Sequence, residues 1–401
     1  MKQKKLMLLG GLRYLIPVIE AAHKLGLYVI TCDYLPNNIA HKYSDEYRNV
    51  SIIDKDAVLK VAQELEIDGI MSFAVDPGVV TAAYVAEQMG LPFAGSYEAV
   101  RIFQNKDLFR NFLREHGFNC PWSYGFASVE EAIDASSAFS YPAIVKPTDA
   151  AGSKGVTRVD SASELQAALD YAFKYSISGR VIVEEFLEKQ GCSSDSDCFS
   201  LDGKLVVASF SAQRFDEDAA NPYTPAAYSW PSTFTNEQES ELKDELQRLI
   251  SLLGLQTSIY NVETRIATNG KPYIMEVSPR GGGNRLSEMV RYASGVDLID
   301  MSVRGAVGLP VTQPDAISYA AHWAIIILHA PQSGRFLQFQ VAEAYKDNVV
   351  EADVWVRPGD QVNAFNGAND TIGTLVMRFE SEKEMDYVIA NQGKFITISV
   401  R

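Results

Sequence analysis

The first 97 residues alternate strand and helix, and that order leaves few folds open. KKLMLLGG (residues 4–11) reads as a strand that ends in Gly10-Gly11, and LIPVIEAAHKLG (15–26) as an amphipathic helix closed by Gly26. LYVITCDY (27–34), DAVLKVAQELEID (56–68), GIMSF (69–73) and GVVTAAYVAEQMG (78–90) then repeat strand, helix, strand, helix. Strands joined through helices lie parallel, so this segment predicts a doubly wound parallel sheet. The Gly10-Gly11 turn admits two readings, a tight strand-to-helix turn or a site for a phosphate or carboxylate.

The texture changes after residue 97. YEAVRIFQNKDLFRNFLREHG (97–117) reads as one long helix ended by Gly117. Short strands and helices follow from Pro121, with hairpin dipeptides at Asp202-Gly203 and Asn269-Gly270. The last ninety residues, about 311 to 401, read as β-rich with one helix, SEKEMDYVIANQG (381–393). At 401 residues, 47% hydrophobic and 22% charged, the chain has core enough for about two to three domains.

The net charge of −15 argues against a nucleic-acid backbone or an anionic membrane as partner. Anionic substrates would need basic residues gathered in a cleft. Cys32, Cys120, Cys192 and Cys198 form no CxxC and the five histidines no HExxH, so zinc and disulfide frameworks are not expected. The apolar run near the N-terminus stops at Arg13 with no small-residue cleavage site after it, and no stretch approaches the roughly 20 apolar residues of a membrane span. A soluble, cytoplasmic protein with reduced thiols is expected.

The Asn269-Gly270 hairpin raises an electrostatic question. With those two residues as the turn, Thr268 pairs with Lys271, Glu263 lies opposite Glu276, and Asn261 opposite Ser278. Two directly opposed glutamates repel each other. Either the face is solvated, or a divalent cation sits between them. Asn261 and Ser278 are neutral oxygen donors on the same face, which suits Mg²⁺. Arg280 follows before the flexible Gly281-Gly282-Gly283, placed to hold a phosphoryl group. About 120 residues earlier, IVKPTDAAGSKGV (144–156) puts Lys146 at a strand end before a loop of small residues. Such a loop either makes a plain hairpin turn or lets backbone N–H groups approach a polyphosphate.

In this order the residues resemble the ATP-grasp superfamily. Lys106, in Asn105-Lys106-Asp107, is similar to the family's first nucleotide lysine, and Lys146 to its second. Ala150 to Val156, with Gly152, Ser153 and Gly155, resembles the phosphate-covering loop. Val181 to Leu187 resembles the hinge strand, so Glu184, Glu185 and Leu187 would serve the adenine end. Glu263 and Glu276 resemble the metal carboxylates, joined by Ser278 where the family usually has asparagine. After the hinge, many relatives carry a sugar-contacting glutamate; here Gly191 to Asp197 has serine at that place, so the pattern does not assign ribose contact to Asp195 or Asp197.

The resemblance implies an α/β and α+β architecture in three parts: an α/β domain over 1–97, a two-lobed ATP-grasp domain over 98–310 with a mobile lid at about 122–187, and a β-rich domain over 311–401. It implies ATP with Mg²⁺ (or Mn²⁺), γ-phosphoryl transfer to a carboxylate, and attack on the acyl phosphate by an amine. Arg280 and Lys146 would be the catalytic cations. The texture is closest to the branch of L-amino-acid ligases and carbamoyl-phosphate-synthetase-like domains, which favours small-molecule carboxylate and amine substrates. Bicarbonate activation and a nucleotide-binding regulator without turnover stay open as alternatives. Many relatives are homodimers. Arg265, Arg285, Tyr223, Tyr228 and Trp230 are candidates for the acceptor pocket or for packing. His322 and His329 read as core or edge residues, and Leu286 and Met289 as core.

Overall fold

The computed structural model describes residues 2–150, 154–221 and 224–401. Its first sheet comprises β1 (Lys5–Leu9), β2 (Tyr28–Cys32), β3 (Glu46–Arg48) and β4 (Gly69–Ser72), all parallel in the order β3-β2-β1-β4. Alternate β1 residues serve opposite faces. Leu6 and Leu8 pack with Val18, Ile19 and Ala22, whereas Met7 and Leu9 pack with Val58, Ala62 and Val85. The sheet is therefore covered on both sides, as a strand of near-continuous apolar residues requires. The Gly10-Gly11 turn is tight for steric reasons. Gly10 has φ +114° and donates its N–H to the Cys32 carbonyl at 2.8 Å, and a Cβ on Gly11 would lie 2.5 Å from the His41 ring.

The expected single helix over 97–117 is two helices, Tyr97–Gln104 and Lys106–Glu115. Asn105 interrupts them. Its backbone is extended, and its side-chain oxygen accepts from the N–H groups of Asp107 and Leu108, both at 3.1 Å. An asparagine competes well for this capping position, and the apolar periodicity on either side hides the break. Lys106 becomes the first residue of a helix as a result.

A small antiparallel sheet follows: β5 (Ser123–Phe126), β6 (Ala143–Pro147), β7 (Thr157–Val159) and β8 (Val181–Glu185), in the order β5-β8-β6-β7. Helix Ala162–Tyr175 covers it through Leu165, Ala168, Leu169 and Ala172. The chain continues through β9 (Ser194–Leu201), β10 (Lys204–Ala208), β11 (Ala212–Phe215), β12 (Pro225–Trp230), β13 (Ser258–Ile266) and β14 (Pro272–Ser278). Four of these make a second antiparallel sheet, β10-β9-β13-β14. Strands β11 and β12 leave it and join β15 (His322–His329), which lies with β16 (Gly334–Val341), β17 (Val349–Val354), β18 (Gln361–Val362), β19 (Thr371–Phe379) and β20 (Ile396–Val400) in the β-rich last part. The five-stranded order is β11-β12-β15-β19-β17, and β18-β16-β20 form a smaller sheet. That five-stranded sheet crosses the boundary expected near residue 311, because two of its strands come from residues 212–230.

The two hairpin dipeptides behave differently. Asp202 and Gly203 both have positive φ and form the two-residue turn between β9 and β10. At the other hairpin the loop has three residues, Thr268 to Gly270, closed by the Ala267 N–H on the Lys271 carbonyl at 3.0 Å. The expected pairing of Thr268 with Lys271 is thus one residue out near the turn. A register shift between Glu263 and Thr264 corrects it, so Glu263 does face Glu276 and Asn261 does face Ser278.

Candidate active site

Strand β13 is the centre of the site. On one side it pairs with β14, and on the other with β9, where Glu263 faces Asp195 and Asn261 faces Asp197. One face of the sheet therefore carries two polar rows three strands wide: Asp195, Glu263, Glu276, and beside it Asp197, Asn261, Ser278. The opposite face is apolar, with Tyr260, Val262, Ile266, Ile274 and Val277 packed on Phe103, Phe109, Leu242 and Leu246. Period-two alternation on three strands produces both faces.

The acidic row is electrostatically loaded. Burial and the neighbouring Glu263 push Asp195 up to about 7. Burial pushes Asp197 up to about 6, although Ser287, the Gly282 N–H, Arg280 and Asn261 all favour its charged form. Burial and the opposed Glu276 raise Glu263, with Arg265 3.9 Å away as partial relief. Glu276 differs. Its side chain is about half exposed, and although the surrounding protein disfavours its charge, Lys106 wins and holds it below the usual range. The Lys106 Nζ donates to Glu276 Oε1 at 3.0 Å and to the Ala150 carbonyl at 3.1 Å.

Lys146 enters from β6 and forms a tight ion pair with Glu184 on β8. Glu184 also accepts from Arg110 Nε at 2.9 Å, and Arg110 donates through Nη1 to the Met275 carbonyl at 2.8 Å. Burial disfavours the Glu184 carboxylate, but Arg110 and Lys146 together hold it down at about 2. Burial, with the charges of Arg110 and Lys106, lowers Lys146. Lys106, Lys146, Glu184, Glu263 and Glu276 thus share one neighbourhood, although they come from one helix start and two separate sheets. At the end of β8, the Glu185 N–H donates to the Trp122 carbonyl at 3.0 Å, and the Leu187 carbonyl accepts from Arg265 Nη1 at 3.0 Å. The Leu187 side chain packs on Ala267, Tyr273 and Met275. Gly155 has φ +72° and sits against Pro147, where a Cβ would meet the ring at 2.8 Å. Gly152 and Ser153 lie outside the described residues.

Arg280 is anchored. Its Nε and Nη2 donate to Asp76 Oδ1 and Oδ2 at 2.8 and 2.7 Å, and its Nη1 donates to Asn261 Oδ1 and to the Gly281 carbonyl, each at 3.0 Å. Ser278 donates to Asp76 at 2.9 Å and accepts from Gln104 at 2.8 Å. The structure therefore places Ser278 on the expected face, with its hydroxyl engaged away from the two glutamates. Asn261 is likewise committed, its amide nitrogen donating to Asp195 at 2.7 Å.

Among the described residues no three His, Cys, Asp or Glu side chains converge as a metal cage. Glu263 and Glu276 nevertheless fit Mg²⁺. They are opposed hard-oxygen donors, and burial together with the facing Glu276 raises Glu263, a penalty that a cation between the two would offset. Mg²⁺ characteristically takes one or two carboxylates and completes its shell with water and phosphate oxygens.

The remaining candidates separate. Trp230 is fully buried and donates to Ser209 at 2.9 Å, and Leu286 and Met289 pack against it, so these are core. Tyr228 is buried, with its hydroxyl accepting from Asn284 at 3.2 Å. Arg285 is held by Glu288 and Glu351 at 2.9 and 2.8 Å. His329 bonds to Asp216 at 3.0 Å and stacks on Phe365, and His322 begins β15. Tyr223 lies outside the described residues. The sequence reading missed Asp76, Arg110 and Gln104, and did not assign Asp195 and Asp197. The available signal was Ser194-Asp195-Ser196-Asp197, an alternation that puts both acids on one face of a strand.

Comparison with known proteins agrees with this layout. Residues 139–288 match the family model described as ATP-grasp domain. The L-amino acid ligase of Bacillus licheniformis superposes with TM-score 0.83 at 20% identity, covering 100% of both chains. Phosphoribosylglycinamide synthetase from Anaerococcus prevotii gives TM-score 0.79 at 21% identity, again over 100% of both. The carbamoyl phosphate synthase large chain of Thermotoga petrophila is 23% identical over 285 residues, 71% of this chain and 25% of that one. The chain thus spans about a quarter of the length of that relative. The fold is the ATP-grasp fold, mixed α/β with one parallel and several antiparallel sheets.

Proposed function

We propose that this chain, whose central part is an ATP-grasp domain, is an ATP-dependent carboxylate–amine ligase that releases ADP and phosphate. The observation that carries the reading is the opposed Glu263–Glu276 pair with Lys106 bound to it and Lys146 nearby. Phosphoryl transfer asks a protein mainly for position and charge neutralisation, and these residues supply both. Lys106 and Lys146 neutralise the nucleotide's phosphates. Glu263 and Glu276 would hold Mg²⁺, which would supply positive charge to offset that developing on the phosphates. Arg280, fixed by Asp76, keeps a guanidinium beside the acidic rows to steady the oxygens of the acyl phosphate. An amino acid is the activated acid in this reading, supported by the full-length likeness to an L-amino acid ligase.

The test is ADP and phosphate release from Mg-ATP with pooled amino acids, pooled amines, or bicarbonate, beside Lys146→Ala and Glu276→Ala. Release that needs the amino-acid pool and vanishes in both variants supports the ligase. Release driven by bicarbonate alone moves the substrate to the carbamoyl-phosphate type. AMP and pyrophosphate as products would exclude an acyl phosphate. ATP-dependent thermal stabilisation without release under any pool would favour a regulator.

A further inference from the structure

Arg13 follows the Gly10-Gly11 turn and lies half-buried. Its guanidinium stands 5.2 Å over the Trp355 ring, and among the described residues its side chain makes no hydrogen bond or ion pair. In a chain with 51 acidic and 36 basic residues, a half-buried arginine without an acid partner is an uncommitted cation. Nearby Arg285 shows the alternative, being saturated by Glu288 and Glu351.

A path of contacts joins Arg13 to the acidic sheet face. Tyr14 packs edge-on against Trp355 and donates its hydroxyl to Asn284 at 3.1 Å. Asn284 donates to the Tyr228 hydroxyl at 3.2 Å. Two residues before Asn284, the Gly282 N–H donates to Asp197 at 2.8 Å. Asn284 and Arg285 both have positive φ, so the chain turns sharply here between the first sheet's loop, the site and the β-rich part.

We propose that Arg13, backed by Trp355, binds the carboxylate of the second, amine-bearing substrate, making that substrate an amino acid. The inference rests on the ligase reading. A guanidinium held over an indole face, 5.2 Å from its centre, and making no hydrogen bond among the described residues keeps N–H groups free for a bidentate carboxylate. A monoanion suits the place better than a phosphate ester, because one cation faces a neighbourhood that already holds Asp353, bound to Trp355 Nε1 at 2.7 Å, and Glu351. In the step that follows, the substrate's amine nitrogen attacks the acyl carbon. The C–N bond forms, the C–O bond to phosphate breaks, phosphate leaves with the bonding pair, and the amine gives up a proton to solvent.

The experiment reads both half-reactions in wild type, Arg13→Ala and Arg13→Lys. Hydroxylamine trapping of pooled L-amino acids measures activation, and mass spectrometry of dipeptides measures transfer. Pooled L-amino-acid α-amides serve as alternative acceptors, and ribose 5-phosphate as a competitor. The expected result is a dipeptide-to-hydroxamate ratio about tenfold lower in Arg13→Ala, with acids no longer preferred over amides, and an intermediate ratio in Arg13→Lys. Thermal stabilisation of the Mg-ADP complex by the acid pool and not the amide pool, lost in Arg13→Ala, is the matching binding readout. Equal use of acids and amides by wild type, an unchanged ratio in Arg13→Ala, or inhibition by ribose 5-phosphate that depends on Arg13 overturns the assignment alone. Absence of hydroxamate and ADP from wild type with every pool overturns the ligase reading, and the stabilisation readout then decides Arg13 by itself.

Discussion

Asp76 and Arg280 form a two-point ion pair, 2.8 and 2.7 Å, that joins the helix after β4 to the end of β14. Asp76 also accepts from Ser278, so one carboxylate orders two residues of the site from a different part of the chain. Asp76→Ala should remove the main counter-charge of Arg280, a residue only 9% exposed. The expected loss is about 3 kcal/mol in urea unfolding, with Asp76→Asn costing less because the amide still accepts one hydrogen bond. Turnover should fall in both variants.

The Glu184 carboxylate balances Arg110 and Lys146. Glu184→Ala should cost roughly 3–5 kcal/mol by leaving the buried Arg110 and the partly buried Lys146 without their shared carboxylate. Because its folded value of about 2 lies below the ordinary carboxylate range, the stabilisation is present above about pH 4 and is lost as pH falls towards 2. The acid limb of a melting-temperature profile should therefore be shallower in Glu184→Gln than in wild type.

Asp195 has the opposite sign. Its folded value of about 7 lies above the ordinary one, so its contribution is complete below about pH 4 and is lost as pH rises through about 7. In chelator-treated protein, Asp195→Asn should melt at higher temperature than wild type at pH 8, and the difference should close by pH 4. A melting temperature for Asp195→Asn below that of wild type at pH 8 would contradict the electrostatic account of the acidic row.

If Glu263 and Glu276 hold the cation, Mg²⁺ should raise the melting temperature of the ATP-bound protein. Glu263→Gln should reduce that increment, and Glu276→Gln should reduce it further by also freeing Lys106. Turnover in Glu276→Gln should fall about 100-fold or more, the usual scale for losing one electrostatic contact to a reacting group.

Capping at Asn105 is testable separately. Asn105→Ala should cost about 1 kcal/mol for the lost cap. It should also weaken nucleotide binding, because Lys106 takes its direction from that helix start.

Much of the fold was legible where information is local. Alternating strand and helix before residue 97 specified a parallel sheet because each βα unit carries its own periodicity. Asp202-Gly203 specified its turn because positive φ at two successive residues selects few sequences. The Glu263–Glu276 opposition was legible for a less direct reason: the assumed two-residue turn was wrong by one, and a register shift restored the pairing. The Asn105 break was hidden because one capping oxygen weighs little against apolar periodicity on both sides.

The sequence by itself determined which side chains share a strand face, and with them two glutamates, two lysines and an arginine of the right chemistry. Tertiary structure decided their partners. Pairing of β9 with β13 brought Asp195 and Asp197 beside Glu263 and Asn261, and docking of the helix that follows β4 against the end of β14 gave Arg280 its counter-ion in Asp76. Side-chain alternation is a property of a few consecutive residues. Which strand lies next to which, and which charge meets which across 204 positions, depends on burying all the apolar faces together.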